Sequence, residues 1–395
     1  MMTQSNFKSK DDQPTPEGYK KTEVGIIPND WIIRSIGDFA PLQRGFDLPS
    51  RLRVDGLYPV IYSNGFVNTH IEYKVKGPGI VTGRSGTIGK VHYVDQNYWP
   101  HNTSLWVTKF NEVDPKFIYF LFSKIGFERF SSGSGVPTLN RNDAHSFKIQ
   151  FPKSIDEQQK IVTALSDTDA LISELEKLIE KKQAIKNATM QQLLTGKTRL
   201  PEFALREDGT HKSYKYSGLG QIPEDWEVTR IGNTLTVKHG KSQKSVESDN
   251  GTFPILATGG QIGWAKEYLY NQPTVLIGRK GTINKPKFFD QPFWSVDTLF
   301  YSEVNVKYSA KFLFYKFCRI DWNNYNEASG VPSLNAKTIE NVLISVCSLE
   351  EQKAIVKILN DIENEITGLK DKRKKLLHIK SGIMQELLTG KTRLV

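Results

Sequence analysis

The chain contains an internal duplication that covers almost its whole length. Four blocks occur twice in the same order: GIIPNDW (25–31) and GQIPEDW (220–226), GRSGTIGK (83–90) and GRKGTINK (278–285), SGVPTLN (134–140) and SGVPSLN (329–335), and MQQLLTGKTRL (190–200) and MQELLTGKTRL (384–394). The first three pairs are offset by 195 positions and the last by 194. A repeat of this length is far longer than a solenoid unit, so each copy is expected to hold a domain of its own.

Each copy begins with a segment that contains both strand-like and helix-like sequence patterns. Short apolar stretches between Gly-rich turns, such as residues 59–65, 77–86 and 88–94, are typical of strands, and Pro115 to Phe122 predicts a buried helix. We therefore expect one compact α+β module in each copy.

Each copy ends with a long helix. Ser154 with Glu157, and Ser348 with Glu351, fit a capping box in which hydroxyl and carboxylate bond to exposed amides of the first turn. Gly196 and Gly390 stand where a helix terminator belongs. About forty residues make roughly 60 Å of helix.

A heptad seam runs along each of these helices. Its residues recur at alternating steps of four and three, and they are Ile161, Leu165, Thr168, Ile172, Leu175, Ile179, Lys182 and Lys186 in the first copy and Ile355, Leu359, Ile362, Ile366, Leu369, Arg373, Leu376, Lys380, Ile383 and Leu387 in the second. Such a seam needs a partner helix, and the other copy supplies the obvious one. The alternative is two separate surface helices.

The helices are close copies, whereas the modules share only a few blocks. Divergence confined to the modules suggests that they recognise different things. A rigid spacer between two different readers would fix the spacing of an asymmetric, interrupted DNA site. The excess of Lys and Arg over Asp and Glu, 53 to 43, favours a polyanionic partner, although a merely basic protein would show the same count.

The four duplicated blocks, in this order and spacing, resemble the specificity (S) subunit of type I restriction–modification enzymes from about Glu17 to Val395. The resemblance implies two target recognition domains, each reading one half of a bipartite site in double-stranded DNA. It also implies two antiparallel, coiled-coil-like helical regions that set the gap and dock two methyltransferase (M) subunits, which restriction (R) subunits join. S-adenosylmethionine, ATP and Mg would belong to those partners, with no cofactor in this chain.

The fold class is thus expected to be α+β, with an internal pseudo-twofold repeat. The expected domains are a first recognition domain over 17–152, a central helical region over 153–200, a second recognition domain over 201–346, and a helical region over 347–395.

The shared block GRSGTIGK/GRKGTINK combines glycines with cations. Its candidate phosphate or guanine contacts are Arg84, Lys90, Arg279, Lys280 and Lys285. Because both copies carry the block, a tight structural turn explains it equally well. Asn140 and Asn335 of the third block could contact the DNA backbone or cap the following segment, and we favour the cap.

Segments that differ between the copies are better candidates for reading bases. Ser63 and Asn64 align with Thr258 and Gly259, and His101 and Asn102 align with Val296 and Asp297. Further candidates are Arg44, Arg51 and Arg53 in the first copy and His239, Lys241 and Lys244 in the second. Such side chains carry the donor and acceptor patterns that distinguish base pairs in the major groove.

No catalytic motif is evident. The sequence has no Asn/Asp-Pro-Pro-aromatic motif of amino-methyltransferases, and TGKT at 195–198 and 389–392 fails as a P-loop because Gln191 and Gln385 stand at the required glycine. The histidines lack metal spacing. The alternative function is a non-catalytic scaffold that binds DNA loosely and without sequence preference.

Cys318 and Cys347 belong to no metal motif, so zinc is not expected and a reducing cytoplasm is the predicted compartment. Residues 1–12 are polar and the apolar runs are short, so neither a signal peptide nor a membrane association is expected.

Overall fold

The computed structural model describes residues 15–132 and 137–394. The chain forms two compact units: the first combines the part up to Glu176 with the part from Asp371 onward, and the second is Lys177–Lys370. Both boundaries fall inside a long helix. Each unit therefore contains one mixed α/β module and one half of each long helix.

The module of the first unit is built mainly from short antiparallel strands. They are β1 (Tyr19–Thr22), β2 (Gly25–Pro28), β3 (Trp31–Ser35), β4 (Leu42–Arg44), β5 (Tyr58–Tyr62), β6 (Gly65–His70), β7 (Gly79–Gly83), β8 (Val91–Val94), β9 (Trp99–Pro100), β10 (Ser104–Val107), β11 (Ser131–Ser132), β12 (Thr138–Leu139) and β13 (Lys148–Pro152). The main sheet has the order β4-β10-β7-β8, and a second sheet has the order β6-β5-β9, with β5 and β9 parallel. Three strand pairs complete the module: β1 with β2, β3 with β13, and β11 with β12.

The helices of the first copy are α1 (Ile36–Phe39), α2 (Pro115–Ile125), α3 (Arg141–Ser146) and the long α4 (Ile155–Thr195), with 3-10 turns at Ser50–Leu52 and Phe127–Phe130. Helix α2 contains the predicted buried segment and packs against β7 and β8. Its Phe117 and Phe122 join Phe39 and Phe151 in an aromatic core.

The module of the second unit repeats this plan. Its strands are β14 (Tyr214–Ser217), β15 (Gly220–Pro223), β16 (Glu227–Arg230), β17 (Leu235–His239), β18 (Phe253–Ala257), β19 (Gly260–Ala265), β20 (Thr274–Gly278), β21 (Lys287–Phe289), β22 (Trp294–Ser295), β23 (Leu299–Val304) and β24 (Leu343–Val346). The sheet orders β17-β23-β20-β21 and β19-β18-β22 match those of the first module position by position. The sequence duplication is therefore a duplication of fold.

The helices of the second copy are α5 (Pro201–Ala204), α6 (Ala310–Phe317), α7 (Ala336–Asn341) and the long α8 (Leu349–Leu387), with 3-10 turns at Ile231–Asn233 and Trp322–Tyr325. The side chain of Asn335 accepts a hydrogen bond from the Lys337 amide and caps α7, and Asn140 caps α3 in the same way. The predicted capping role of both asparagines is confirmed. Residues 134–136 of the same block lie outside the described residues.

All predicted seam residues of α4 and α8 are buried or half-buried. The four cations in the seam each meet a carboxylate of the facing helix within one unit. In the first unit Lys380 pairs with Asp169 at 2.5 Å and Arg373 with Glu176 at 2.7 Å. In the second, Lys182 pairs with Glu365 at 2.7 Å and Lys186 with Glu363 at 2.6 Å. Residue numbers rise along one helix as they fall along the other, so the paired halves run antiparallel.

The ends of the long helices are fixed by an arginine of the last duplicated block. In the second unit Arg199 binds Glu351 at 2.7 Å and Asp225 at 2.8 Å, and in the first unit Arg393 binds Glu157 and Asp30. We call each of these arginine–carboxylate clusters a helix-end junction. It joins the last block to the Ser-x-x-Glu helix start and to the Asp-Trp of the first block.

The junctions correct one sequence expectation. Ser154 does accept a hydrogen bond from the amide of Glu157, as in a capping box, with 3.4 Å between N and Oγ. The Glu157 carboxylate, however, bonds to the guanidinium of Arg393 instead of turning back to the first turn of its own helix. An ion pair with two charge-assisted hydrogen bonds is stronger than a bond to a neutral amide.

Within the described residues, no helix combines the length and the apolar character needed to cross a membrane.

Candidate nucleic-acid interface

Three loops of the first module meet at Thr103. They are the β5–β6 turn at Ser63 and Asn64, the glycine-rich loop that follows β7, and the loop between β9 and β10. The Ser63 amide donates to the Thr103 hydroxyl at 3.3 Å, and the amides of Arg84 and Ser85 donate to its carbonyl at 2.9 and 3.1 Å. We call this arrangement the first loop cluster.

The second module builds the same cluster around Thr298. The amides of Arg279 and Lys280 donate to the Thr298 carbonyl at 2.9 and 3.3 Å, and the Thr258 hydroxyl donates to the same oxygen at 2.5 Å. This second loop cluster uses residues offset by 195 positions from the first. The backbone framework is therefore common to both modules.

The shared arginines brace the loop that carries the differing residues. Nε of Arg84 donates to the carbonyl of Asn102 at 3.0 Å. Nη1 of Arg279 donates to the carbonyl of Asp297 at 3.2 Å and lies 3.8 Å from its carboxylate. Both arginines are half-buried. Each guanidinium thus makes a hydrogen bond within the protein, which agrees with the interpretation of the shared block as a structural turn.

Shared glycines allow the loops to approach this closely. A Cβ on Gly45 would lie 2.2 Å from the carbonyl oxygen of His101, and one on Gly240 would lie 2.0 Å from that of Val296. Only glycine fits at such distances. These glycines and Thr103 and Thr298 were missed as site residues, although their identity in both copies, within otherwise divergent segments, was a usable signal.

The candidate side chains have distinct settings in the first cluster. Asn64, Arg44 and Lys90 are exposed. The amide of Asn102 donates to Asp47, which also lies 3.5 Å from Arg44.

His101 is more enclosed in this cluster. It stacks on Tyr62 with 4.1 Å between ring centroids, and burial lowers its pKa. Its Nδ1 accepts a hydrogen bond from the Thr103 amide at 3.4 Å, so in the neutral ring Nε2 carries the proton and can donate to a base edge.

The second cluster presents other chemistry at the same places. His239 packs edge-on against Phe300 at 4.9 Å, and with Arg279 and Lys280 it lines a cavity of about 270 Å³. Asp297 is exposed where the first cluster has an amide. Lys241 and Lys285 are also exposed, and the backbone amide of Lys241 is held by the Ser295 carbonyl at 2.7 Å.

Two of the candidates face inward. Ser63 is buried, with 9% of its surface exposed, and the Thr258 hydroxyl is committed to Thr298. These residues support the turn. Neighbouring Asn64 and Gly259 are exposed at its tip.

Three of the candidates lie apart from the clusters. In the first module Arg51 and Arg53 flank the open end of the β5–β6 hairpin, where the Val54 carbonyl accepts a hydrogen bond from the Ile71 amide. In the second module Lys244 lies two residues before Val246. The Val246 carbonyl accepts from the Lys266 amide just beyond the open end of the β18–β19 hairpin. A six-residue strand separates that end from the turn by roughly 20 Å. The structure therefore groups these cations at a second location on each module.

The described residues contain no group of three His, Cys, Asp or Glu side chains that could hold a metal ion. Cys318 and Cys347 are both free thiols.

Comparison with known proteins places this architecture in a single class. The family model described as type I restriction modification DNA specificity domain matches residues 28–187 and 223–378, one match in each copy. The chain therefore belongs to this family. Its curated relatives are named as specificity subunits, the non-catalytic components of type I restriction enzymes.

Individual relatives cover nearly the whole chain. The type I restriction enzyme MjaVIII specificity subunit of Methanocaldococcus jannaschii is 26% identical, over 95% of this chain and 96% of its own. The putative MjaX specificity subunit of the same organism is 25% identical over 95% and 97%. The S subunit of a type I restriction–modification system from M. genitalium has the same fold, with a TM-score of 0.64 and 18% identity over 90% of this chain and 96% of that one.

Proposed function

We propose that this chain reads an asymmetric, bipartite site in double-stranded DNA for a type I restriction–modification complex, one half-site per module. The observation that carries the proposal is the pair of loop clusters. Their backbone bracing is the same, whereas the residues on the braced loops differ: half-buried Asn102 stands against exposed Asp297, and exposed Asn64 against Gly259. An amide both donates and accepts hydrogen bonds and a carboxylate only accepts, so the clusters suit different bases.

The remaining candidates divide by position. Arg44 and His101 in the first cluster, and His239 and Lys241 in the second, lie close enough to the differing residues to share in base reading. The exposed cations of the glycine-rich loops, Lys90, Lys280 and Lys285, suit phosphate contacts. Arg84 and Arg279 combine bracing with such a contact, and Arg51, Arg53 and Lys244 would hold phosphates farther along the duplex.

We also propose the division into recognition domains at 17–152 and 201–346 and helical regions at 153–200 and 347–395. The antiparallel contacts between the halves of α4 and α8 in each unit support a coiled-coil spacer that fixes the gap between half-sites. The family description and the relatives' names support modification and restriction subunits as partners, and we propose two copies of the methyltransferase subunit. S-adenosylmethionine, ATP and Mg would act in those subunits, in the cytoplasm where the DNA is.

Co-expression with a type I methyltransferase subunit tests the proposal. Long-read methylation mapping should find adenine methylation at one interrupted motif. Exchanging residues 17–150 for those of another family member should change one half of the motif and leave the other half and the gap unchanged. Methylation without a motif, or a change in both halves, would contradict two independent readers.

A further inference from the structure

Each unit contains a cavity beside its helix-end junction. In the second unit the cavity is about 600 Å³ and lies between the end of α4, the β14–β15 hairpin, the end of α6 and β24. In the first unit it is about 370 Å³ and involves the corresponding elements of the first module with the end of α8. We call these the junction cavities.

The junction cavities are equivalent by the sequence repeat. Of the ten residues that line the first-unit cavity, eight have their counterpart in the lining of the second, at an offset of 195 or 194. Lys124 corresponds to Arg319, and Leu388 to Leu194. Equivalent lining positions, with a cation at both Lys124 and Arg319, suit a task that is the same in both units, whereas base reading is expected to differ between them.

The charge of the linings has one sign. Three basic side chains line each cavity, and no Asp or Glu is among the lining residues. Lys148 is paired with Glu23, and Lys316 donates to the Leu194 carbonyl. Lys124 and Arg319 have no carboxylate partner within the described part of the chain.

The charged forms of these two unpaired residues are destabilised by lost hydration, and an anionic ligand group would stabilise them. Partial burial lowers the pKa of half-buried Lys124 to about 8, because a charge loses hydration there, and it also lowers the pKa of Arg319, although that residue is exposed. A carboxylate placed beside either group would stabilise its protonated form. The rest of the lining is largely aliphatic, including Ile320 and the 45% exposed Leu343. A phosphate backbone offers no apolar surface to match it, whereas a peptide does.

We infer that each junction cavity docks one methyltransferase subunit through a segment in which carboxylates flank aliphatic side chains. This inference rests on the proposed function and assigns the docking site. Two equivalent cavities, one per unit, match two copies of one partner.

Charge reversal tests the inference on the full chain co-expressed with methyltransferase subunits, with the complexes counted by native mass spectrometry. Arg319→Glu and Lys124→Glu should each leave one methyltransferase subunit bound and weaken the second site at least about tenfold, and the double variant should weaken both. Lys307→Glu and Lys109→Glu, which reverse exposed lysines outside the cavities, should bind two subunits as the wild type does.

A second pair of variants separates docking from folding. Leu343 is partly exposed, and its counterpart in the first copy is Lys148. Leu343→Lys should keep or tighten binding at the second unit, whereas Leu343→Glu should weaken it at an unchanged thermal unfolding midpoint. Equal binding by these two variants would overturn the inference.

The remaining outcomes distinguish this inference from the proposed function. If the wild-type complex methylates one interrupted motif and the cavity variants still bind two subunits, the docking site is wrong and the function stands. Loss of DNA binding with both subunits retained would assign the cavities to DNA and also overturn the inference. A wild-type chain that binds no methyltransferase subunit would contradict the proposed function itself.

Discussion

The guanidinium of Arg393 makes two hydrogen bonds to the carboxylate of Glu157, although 236 positions separate the two residues; the distances are 2.5 Å from Nε to Oε1 and 2.8 Å from Nη2 to Oε2. Arg199 and Glu351 repeat the contact in the second unit at 2.7 and 2.9 Å. In each unit one arginine therefore ties the end of one long helix to the start of the other.

Loss of such an arginine should destabilise its unit. The side chains of Arg199 and Glu351 are 6% and 3% exposed, so Arg199→Ala leaves a buried carboxylate without its cation. We expect the free energy of unfolding to fall by roughly 3–5 kcal/mol in urea titrations. Arg206→Ala is the matched control, because its pair with Glu224 is 41% and 30% exposed and should contribute less than about 1 kcal/mol. Equal losses would show that the junction pair is no stronger than a surface pair.

The buried Lys316 should give the chain a characteristic pH dependence. Burial lowers the pKa of Lys316 from 10.5 to about 7. Between these values the unfolded chain keeps a proton that the folded chain has lost, so the free energy of unfolding rises with pH. The slope is at most about 1.4 kcal/mol per pH unit, and the contribution is constant below pH 7.

Lys316→Met should remove this residue's part of the slope and leave the part that Lys124 contributes above about pH 8, whereas the exposed-site control Lys307→Met should retain both. Urea unfolding between about pH 6.5 and 9.5 measures both. Parallel pH profiles for the wild type and Lys316→Met would show that Lys316 stays protonated in the folded chain.

The differing residues of the two clusters should act on separate half-sites. Asn102→Ala should reduce base discrimination in one half-site by roughly 1–3 kcal/mol, which is about 5- to 150-fold, and Asp297→Ala should do so in the other. Methylation mapping measures both, and the untouched half-site is the internal control. Relaxation of both half-sites by either variant would mean that the clusters are not independent.

The close approach at Gly240 should be essential to the second cluster. An added Cβ would lie 2.0 Å from the Val296 oxygen, so Gly240→Ala should cost about 1–3 kcal/mol and displace the loop that carries Asp297. Gly259 has nothing within 4 Å of such a Cβ, and Gly259→Ala should change stability by less than about 0.5 kcal/mol. Thermal unfolding compares the two, and a stable Gly240→Ala protein would show that the loop can move without strain.

Much of the fold was predictable because its signals are local or repeated. The apolar run at Pro115 to Phe122 forms part of a buried helix, as predicted, and Gly196 and Gly390 follow the long helices with φ of +71° and +74°. The steps of four and three fix which face of α4 and α8 is buried. A periodic pattern identifies the buried face of a helix, whichever element packs against it.

The candidate site was predictable only in part. Alignment of the copies identified Asn102 and Asp297 as differing residues at equivalent places, and the structure puts both on a braced loop. The alignment could not show that Ser63 is buried or that Arg51 lies at the other end of a hairpin from Asn64. Those facts depend on which strands pair, and residue type alone does not encode pairing.

The sequence by itself determined the duplication, the two α/β modules and the long helices, because a short-range residue pattern or a repeated sequence block indicates each of them. Only the tertiary structure decided which partners the charged groups find: Arg393 with Glu157, Arg84 with the Asn102 carbonyl, and Lys316 with the Leu194 carbonyl. The physical reason is that a hydrogen bond requires atoms within about 3 Å. Chain packing brings atoms from distant parts of the sequence to that distance, and no local pattern records it.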